Sequence, residues 1–204
     1  MTTMAVELRC PADSPRSALL LRPWIAADMP ALVAEMRREY PVGGLWPNHN
    51  ERPDRRTWTG PTDLQDAAEW LASQDRGWSD GDWLTFAVLE EGAAGQYSLA
   101  GHVGLKNREP RGTVGQEETA EISYWTAVRS RGRGVAPAAV RAVTAWAFGT
   151  FNAGGLQQIM LVHDVDNPAS CRVASKAGYP YSEFSPAKPP FWFADGHIHL
   201  ASRP

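Results

Sequence analysis

The chain has 204 residues, 43% of them hydrophobic, which is enough for one domain with its own core. Its 20 basic and 23 acidic residues leave a net charge of −3, which argues against a general nucleic-acid or membrane binder. Two cysteines, Cys10 and Cys171, give neither a disulfide framework nor a metal-ligand spacing. With no long apolar run, they read as reduced thiols in a soluble, cytoplasmic protein.

Residues 1–15 carry Pro11 and Pro15 and read as a flexible N-terminal tail; 16–204 read as a single domain. Ser17–Arg22 suits a first strand. Asp28 is placed to cap a helix over 29–39 with Leu32, Val33 and Met36 on one face. Residues 41–61, rich in glycine and proline, form a long loop of the kind that is often functional. Thr62 and Gln65 have capping-box spacing and open a second helix to about Gln74. Strands at 83–90 and 98–106 flank a turn and predict a hairpin, and 119–128 alternates as a central strand.

The segment Arg131-Gly132-Arg133-Gly134-Val135-Ala136 comes next, and a helix runs from it to about Phe148. Glycines let backbone N–H groups approach a ligand, and a helix start leaves its first N–H groups unpaired beneath a positive dipole end. Together they make a pyrophosphate cradle. Arg129, Arg131, Arg133 and Arg141 add local positive charge; a solvated charge run is the plainer alternative. A strand at 156–163 follows, so 119–163 is a strand–helix–strand unit, expected to be right-handed. Asn167-Pro168 opens a helix that Gly178 stops. Two closing strands lie near 179–186 and 191–200, with Asp195-Gly196 as a turn inside the second. The order predicts an α/β fold: a mixed central sheet with helices on both faces.

Three segments match the GCN5-related N-acetyltransferase (GNAT) superfamily in order and spacing. Glu121-Ile122-Ser123-Tyr124-Trp125 resembles its fourth strand. Arg131 to Ala136 resembles its coenzyme loop, and Asn167-x-x-Ser170 through Lys176-Ala177-Gly178-Tyr179 its second coenzyme-binding element. The Glu-Ile-x-Tyr-Trp and Asn-x-x-Ser signatures are most similar to the subfamily that acetylates N-termini of ribosomal proteins. The resemblance covers roughly residues 16–200.

That resemblance implies acetyl-CoA as co-substrate and a splay between strands 119–128 and 157–163 that holds the pantetheine arm. It assigns backbone contacts with the coenzyme to Ala127, Val128, Arg131, Gly132, Arg133, Gly134, Val135 and Ala136, with Asn167 and Ser170 alongside. Glu121 stands where related enzymes place a base; burial raises a carboxylate pKa and suits it to that work. A salt-bridge or solvent-facing residue is the alternative. Ser170 would assist the leaving thiolate, since the tyrosine many members use is replaced by Ala174. Capping alone is the alternative for Asn167, and a hydrogen bond to its own helix that for Ser170.

Trp46 and Tyr124 are assigned to the acceptor side; for the nine tryptophans as a group, packing is the alternative. His197 and His199 share a strand face, but no further ligand stands at a convincing distance, so no metal is expected. The expected activity is acetylation of a primary amine, a protein N-terminus first and a small molecule second. A non-catalytic acyl-CoA-binding module is the rival from another class. No nucleic-acid or membrane partner is expected, and a homodimer is left open.

Overall fold

Alternating apolar residues build one eight-stranded sheet in the computed structural model, which describes residues 6–39, 61, 63–107, 118–188 and 194–204. The strands are β1 (Leu8–Cys10), β2 (Leu19–Pro23), β3 (Trp83–Glu91), β4 (Tyr97–Asn107), β5 (Thr119–Thr126), β6 (Gln158–Asp164), β7 (Tyr181–Ser185) and β8 (Gly196–Ser202). Their order is β1-β2-β3-β4-β5-β6-β8-β7. Neighbours are antiparallel except β5 and β6, which are parallel. The helices are α1 (Met29–Glu39), α2 (Leu64–Asp80), α3 (Val135–Thr150) and α4 (Pro168–Ala177). None among the described residues is long and apolar enough to cross a membrane.

The mixed sheet has helices on both faces, as the sequence predicts. On one face Val135, Ala139, Val140 and Val143 of α3 pack with Leu21, Phe86, Val103, Ile122 and Ile159. On the other, Leu32, Val33 and Met36 of α1 and Ala67 of α2 pack with Leu20, Ala87, Leu99 and Trp125. Strand alternation separates the two sets. In β5, Ala120 and Ile122 serve the α3 face, while Trp125 serves the α1/α2 face. Glu121 and Ser123 share the parity of Trp125.

Four expectations need correction. Leu8–Cys10 are not tail: they pair with β2, Leu8 opposite Leu21 and Cys10 opposite Leu19. Cys10 is buried against α3, where its thiol donates to the Ala138 carbonyl at 3.7 Å. Three residues between polar stretches are too few for a visible period. Asp28 lies in a 3-10 turn (Ala26–Asp28) and does not cap α1. It takes Arg22 in a two-pronged pair at 2.7 and 2.8 Å and accepts from the Ile25 N–H at 3.0 Å. The cap of α2 is Asp63, which accepts from Gln65 and Asp66 N–H at 2.8 and 2.9 Å; Thr62 lies outside the described residues. That helix runs past Gln74 to Asp80 because Trp78 finds Phe86 (ring centroids 5.2 Å) and Trp146 (6.1 Å) across the layer. Finally, β8 begins at Gly196, so Asp195-Gly196 stands at its start; residues 189–193 lie outside the described residues.

Candidate active site

The parallel pair β5 and β6 is joined for only three positions: Thr119 with Gln158, Ala120 with Ile159, and Glu121 with Met160. Both strands continue beyond that point. β5 stays paired to β4 as far as Thr126, and β6 to β8 as far as Asp164. The centre of the sheet therefore opens as a wedge with its apex at Glu121 and Met160.

The backbone facing this wedge follows from register. Ala127 N–H donates to the Ala100 carbonyl at 2.9 Å, so it points to β4. Backbone direction alternates along an antiparallel strand, so Trp125 and Ser123 also point to β4. Ile122, Tyr124 and Thr126 then present their N–H and C=O groups to the wedge. The sequence assignment of a coenzyme contact to the Ala127 N–H is corrected on this ground, because that donor is already used. Thr126 O accepts from Arg131 Nε at 3.0 Å.

The Gly/Arg turn borders the wide end of the wedge. Gly132 and Gly134 have φ of 74° and 84°, the left-handed region that glycine alone enters without cost. A Cβ built on either would meet nothing within 4 Å, so the surface above the turn is open. Gly134 caps α3 with no side-chain bond. The first bond closing the helix is Ala138 N–H to Gly134 O at 3.3 Å; the Val135 and Ala136 N–H groups precede it, and Pro137 has none. An open turn of this shape at a helix N-terminus fits a pyrophosphate.

The arginine side chains are differently employed than their clustering suggests. Arg129 pairs with Glu35, Arg131 with Glu39 and Arg133 with Glu90. Arg141 donates to the Lys176 carbonyl at 2.6 Å. The three carboxylates are at most 8% exposed. These pairs tie the turn to α1 and β3 and offset its charge, so what the turn can offer an anion is its backbone N–H groups and the helix dipole.

On the far side, Asn167 caps α4, its Oδ1 accepting from Ser170 N–H at 3.2 Å, with Pro168 at the first position. Ser170 is not turned onto its own helix: its hydroxyl lies 2.8 Å from the Tyr124 phenol, joining α4 to β5. Burial, the larger influence, pushes the Tyr124 pKa up, so the phenol stays protonated at neutral pH. With the phenol donating, the Ser170 O–H is available to a third group. Tyr124 thus belongs with Ser170, a pairing that residue spacing could not reveal.

Glu121 pairs with Lys106 at 3.0 Å and is 15% exposed. It lies on the α1/α2 face, across the sheet from Tyr124. Further along that face, His102 Nδ1 accepts from Trp24 Nε1 at 3.2 Å, and Trp24 meets Trp70 edge-on at 5.0 Å. Burial lowers the His102 pKa to about 4. Ser123 Oγ, His102 Nε2 and Trp83 Nε1 all come within 3.3 Å of a Cβ built on Gly104. The bare glycine keeps this polar floor open next to Glu121. Trp46, like Trp58, lies outside the described residues. Trp24, Trp78 and Trp125 act in packing: Trp78 donates to Thr85 O at 3.0 Å and Trp125 to Glu39 at 2.8 Å.

Comparison with known proteins agrees with this fold. The acetyltransferase (GNAT) domain family matches residues 18–180. Among solved structures, Mycobacterium smegmatis RimJ in complex with a CoA-disulfide aligns with a TM-score of 0.71 and 18% identity, over 97% of this chain and 86% of that one. RimL, a ribosomal L7/L12 alpha-N-protein acetyltransferase in complex with coenzyme A, aligns at 0.67 and 16% identity, over 95% and 97%. The microcin C7 self-immunity acetyltransferase MccE, in complex with acetyl-CoA and AMP, aligns at 0.66 and 14% identity, over 91% and 92%. No curated protein matches the chain. At these identities the structural likeness speaks for the fold, and the family match covers most of the chain: it is a member of the GNAT acetyltransferase family.

Proposed function

We propose that the protein transfers the acetyl group of acetyl-CoA directly to a primary amine within a ternary complex, a protein N-terminal amine being the leading acceptor. The observation that carries this reading is the wedge between β5 and β6. It exposes a strand edge at Ile122, Tyr124 and Thr126, opens at one end onto the Gly132–Gly134 turn, and has Ser170 beside it. An extended chain carrying amide groups adds to such an edge through main-chain hydrogen bonds. The turn and the N–H groups of Val135 and Ala136 receive its pyrophosphate.

Each end of the reaction has its own group. Glu121, on the α1/α2 face, accepts the amine proton, its pair with Lys106 giving way when the amine arrives. Ser170, with the Tyr124 phenol donating to it, gives its own hydrogen bond to the departing sulfur. The two residues belong to opposite sides of the sheet, as an acceptor and a donor entering from different sides require. RimL, a ribosomal L7/L12 alpha-N-protein acetyltransferase, among the neighbours supports a protein N-terminus; MccE, a self-immunity acetyltransferase held in complex with acetyl-CoA and AMP, keeps a small molecule as the second reading.

The test is thiol release from acetyl-CoA with a panel of N-terminal peptides, polyamines, amino acids and aminoacyl nucleotides. Peptide turnover at least tenfold above every small amine is expected. A preference for a small amine overturns the acceptor, and no thiol release with any amine overturns catalysis.

A further inference from the structure

Behind α4, three elements bring nitrogen and sulfur donors together. His163 lies next to the end of β6, His197 lies opposite it near the start of β8, and Cys171 comes from the first turns of α4. Cys171 Sγ is 3.3 Å from His163 Nε2 and 3.4 Å from His197 Nδ1, and the three donor atoms lie within 4.8 Å of one another. A tetrahedral zinc ion with bonds of about 2.3 Å to sulfur and about 2.0–2.1 Å to nitrogen separates sulfur from nitrogen by about 3.6 Å. The two observed sulfur–nitrogen spacings, 3.3 and 3.4 Å, need shifts of only a few tenths of an ångström to reach it.

Ring protons point the same way. His163 Nδ1 is 2.8 Å from the Asp164 carbonyl and His199 Nδ1 is 3.2 Å from the Tyr179 carbonyl. A carbonyl only accepts, so both Nδ1 atoms carry the hydrogen and both Nε2 atoms of the neutral rings are bare. Those two Nε2 atoms face each other at 3.2 Å in a buried setting. In the metal-free protein the Cys171 thiol, 3.3 Å from His163 Nε2, is placed to donate its proton to that bare nitrogen, and a cation taking the place of this proton would meet the nitrogen and the sulfur together. A backbone carbonyl holding the far nitrogen of an imidazole is also the arrangement that orients histidine ligands.

We propose that His163 Nε2, Cys171 Sγ and His197 Nδ1 bind one borderline-soft divalent cation of the zinc class, with its fourth position open. The absence of a carboxylate from the donor set disfavours magnesium and calcium. On binding, the Cys171 thiol proton leaves to solvent and the thiolate and two neutral imidazoles donate the three electron pairs. The ion joins β6, β8 and α4 one residue from Ser170. It is independent of which amine is acetylated.

The test is a cobalt(II) titration of the chelator-treated full-length protein, followed by displacement with zinc. A thiolate-to-cobalt charge-transfer band saturating at about one equivalent is expected, together with zinc protection of the Cys171 thiol from alkylation. Cys171→Ser should abolish the band. His197→Ala should weaken binding at least tenfold, and zinc should raise the Tm of the wild type but not of Cys171→Ser. Absence of the charge-transfer band in the wild type overturns the site, whatever the variants do. So does a band that is unchanged in His197→Ala.

Discussion

The proposed reaction places its proton demands on few side chains, and each can be isolated. Ser170 and Tyr124 share one hydrogen bond at 2.8 Å, so they should act as a unit. A bond to developing charge contributes roughly 1.5–3 kcal/mol, or about ten- to a hundred-fold in rate. Ser170→Ala should cost that much turnover, and Tyr124→Phe less, because the serine remains. The double variant should cost no more than Ser170→Ala; fully additive losses in a double-mutant cycle would remove the relay. Glu121→Gln should lower turnover and remove the acidic limb of the pH–rate profile, with coenzyme affinity changed by less than about threefold. An intact acidic limb in that variant excludes Glu121 as the base.

His102 supplies a separate pH signal. Its folded pKa of about 4 lies below the 6.5 of an unperturbed imidazole, so below pH 6.5 the unfolded chain binds a proton that the native state refuses. Stability is therefore full above pH 6.5 and falls as pH drops towards 4, by about 3 kcal/mol from this residue. Protonation would also set a second N–H against the Trp24 donor. Urea melts across pH 4–7 should show this slope in the wild type and a flatter one in His102→Gln. Equal slopes would mean that His102 does not carry it.

At the scale of elements, the glycines divide by what surrounds them. A Cβ on Gly101 would overlap the Trp125 carbonyl where β4 and β5 pair, whereas one on Gly149, inside α3, would meet nothing within 4 Å. Gly101→Ala should therefore lower Tm and weaken the edge that holds β5 beside the wedge. Gly149→Ala should raise stability by about 0.5–1 kcal/mol through lost freedom of the unfolded chain. Thermal melts of the pair check both signs. The ties of the Gly/Arg turn are a third case. Arg133→Met leaves Glu90, 8% exposed, without its partner and should cost on the order of 2 kcal/mol. A neutral result in chemical denaturation would mean that Glu90 is rescued by water.

Periodicity and turn chemistry made α1, α3, α4 and the β3–β4 hairpin legible, because each carries its own stripe and punctuation. What stayed hidden depends on partners far along the chain. The Asp63 cap stands beside an equally plausible Thr62, β1 is three residues long, and the glutamates that take up the arginine charge come from α1 and β3. His163, Cys171 and His197 meet only once α4 folds back over β6 and β8.

For the whole molecule, the wedge follows from one parallel pairing that stops after three positions, and the family match over residues 18–180 supports the acetyltransferase fold. The motif order predicted that architecture, while the acceptor side was less legible, since acceptor loops vary within a fold and residues 41–60 lie outside the described residues. On the proposed function, coenzyme binding requires the assembled molecule, because the strand edge, the turn and α4 meet only in the native state. Binding restricted to that state adds about 2.7 kcal/mol at a hundredfold excess over Kd. For a chain of this size that is a rise in Tm of roughly 5–10 °C with acetyl-CoA. Gly134→Val tests whether the turn is the cradle. At φ 84° a β-branched residue is strained, so the variant should melt lower even without ligand. The informative quantity is the ligand-induced shift measured from each protein's own baseline. It should be large in the wild type and nearly absent in the variant, because the new side chain occupies the open surface over the Val135 and Ala136 N–H groups. Equal shifts in the two proteins would move the pyrophosphate elsewhere. No shift in the wild type, with a known acetyltransferase responding beside it, would remove acetyl-CoA as the co-substrate.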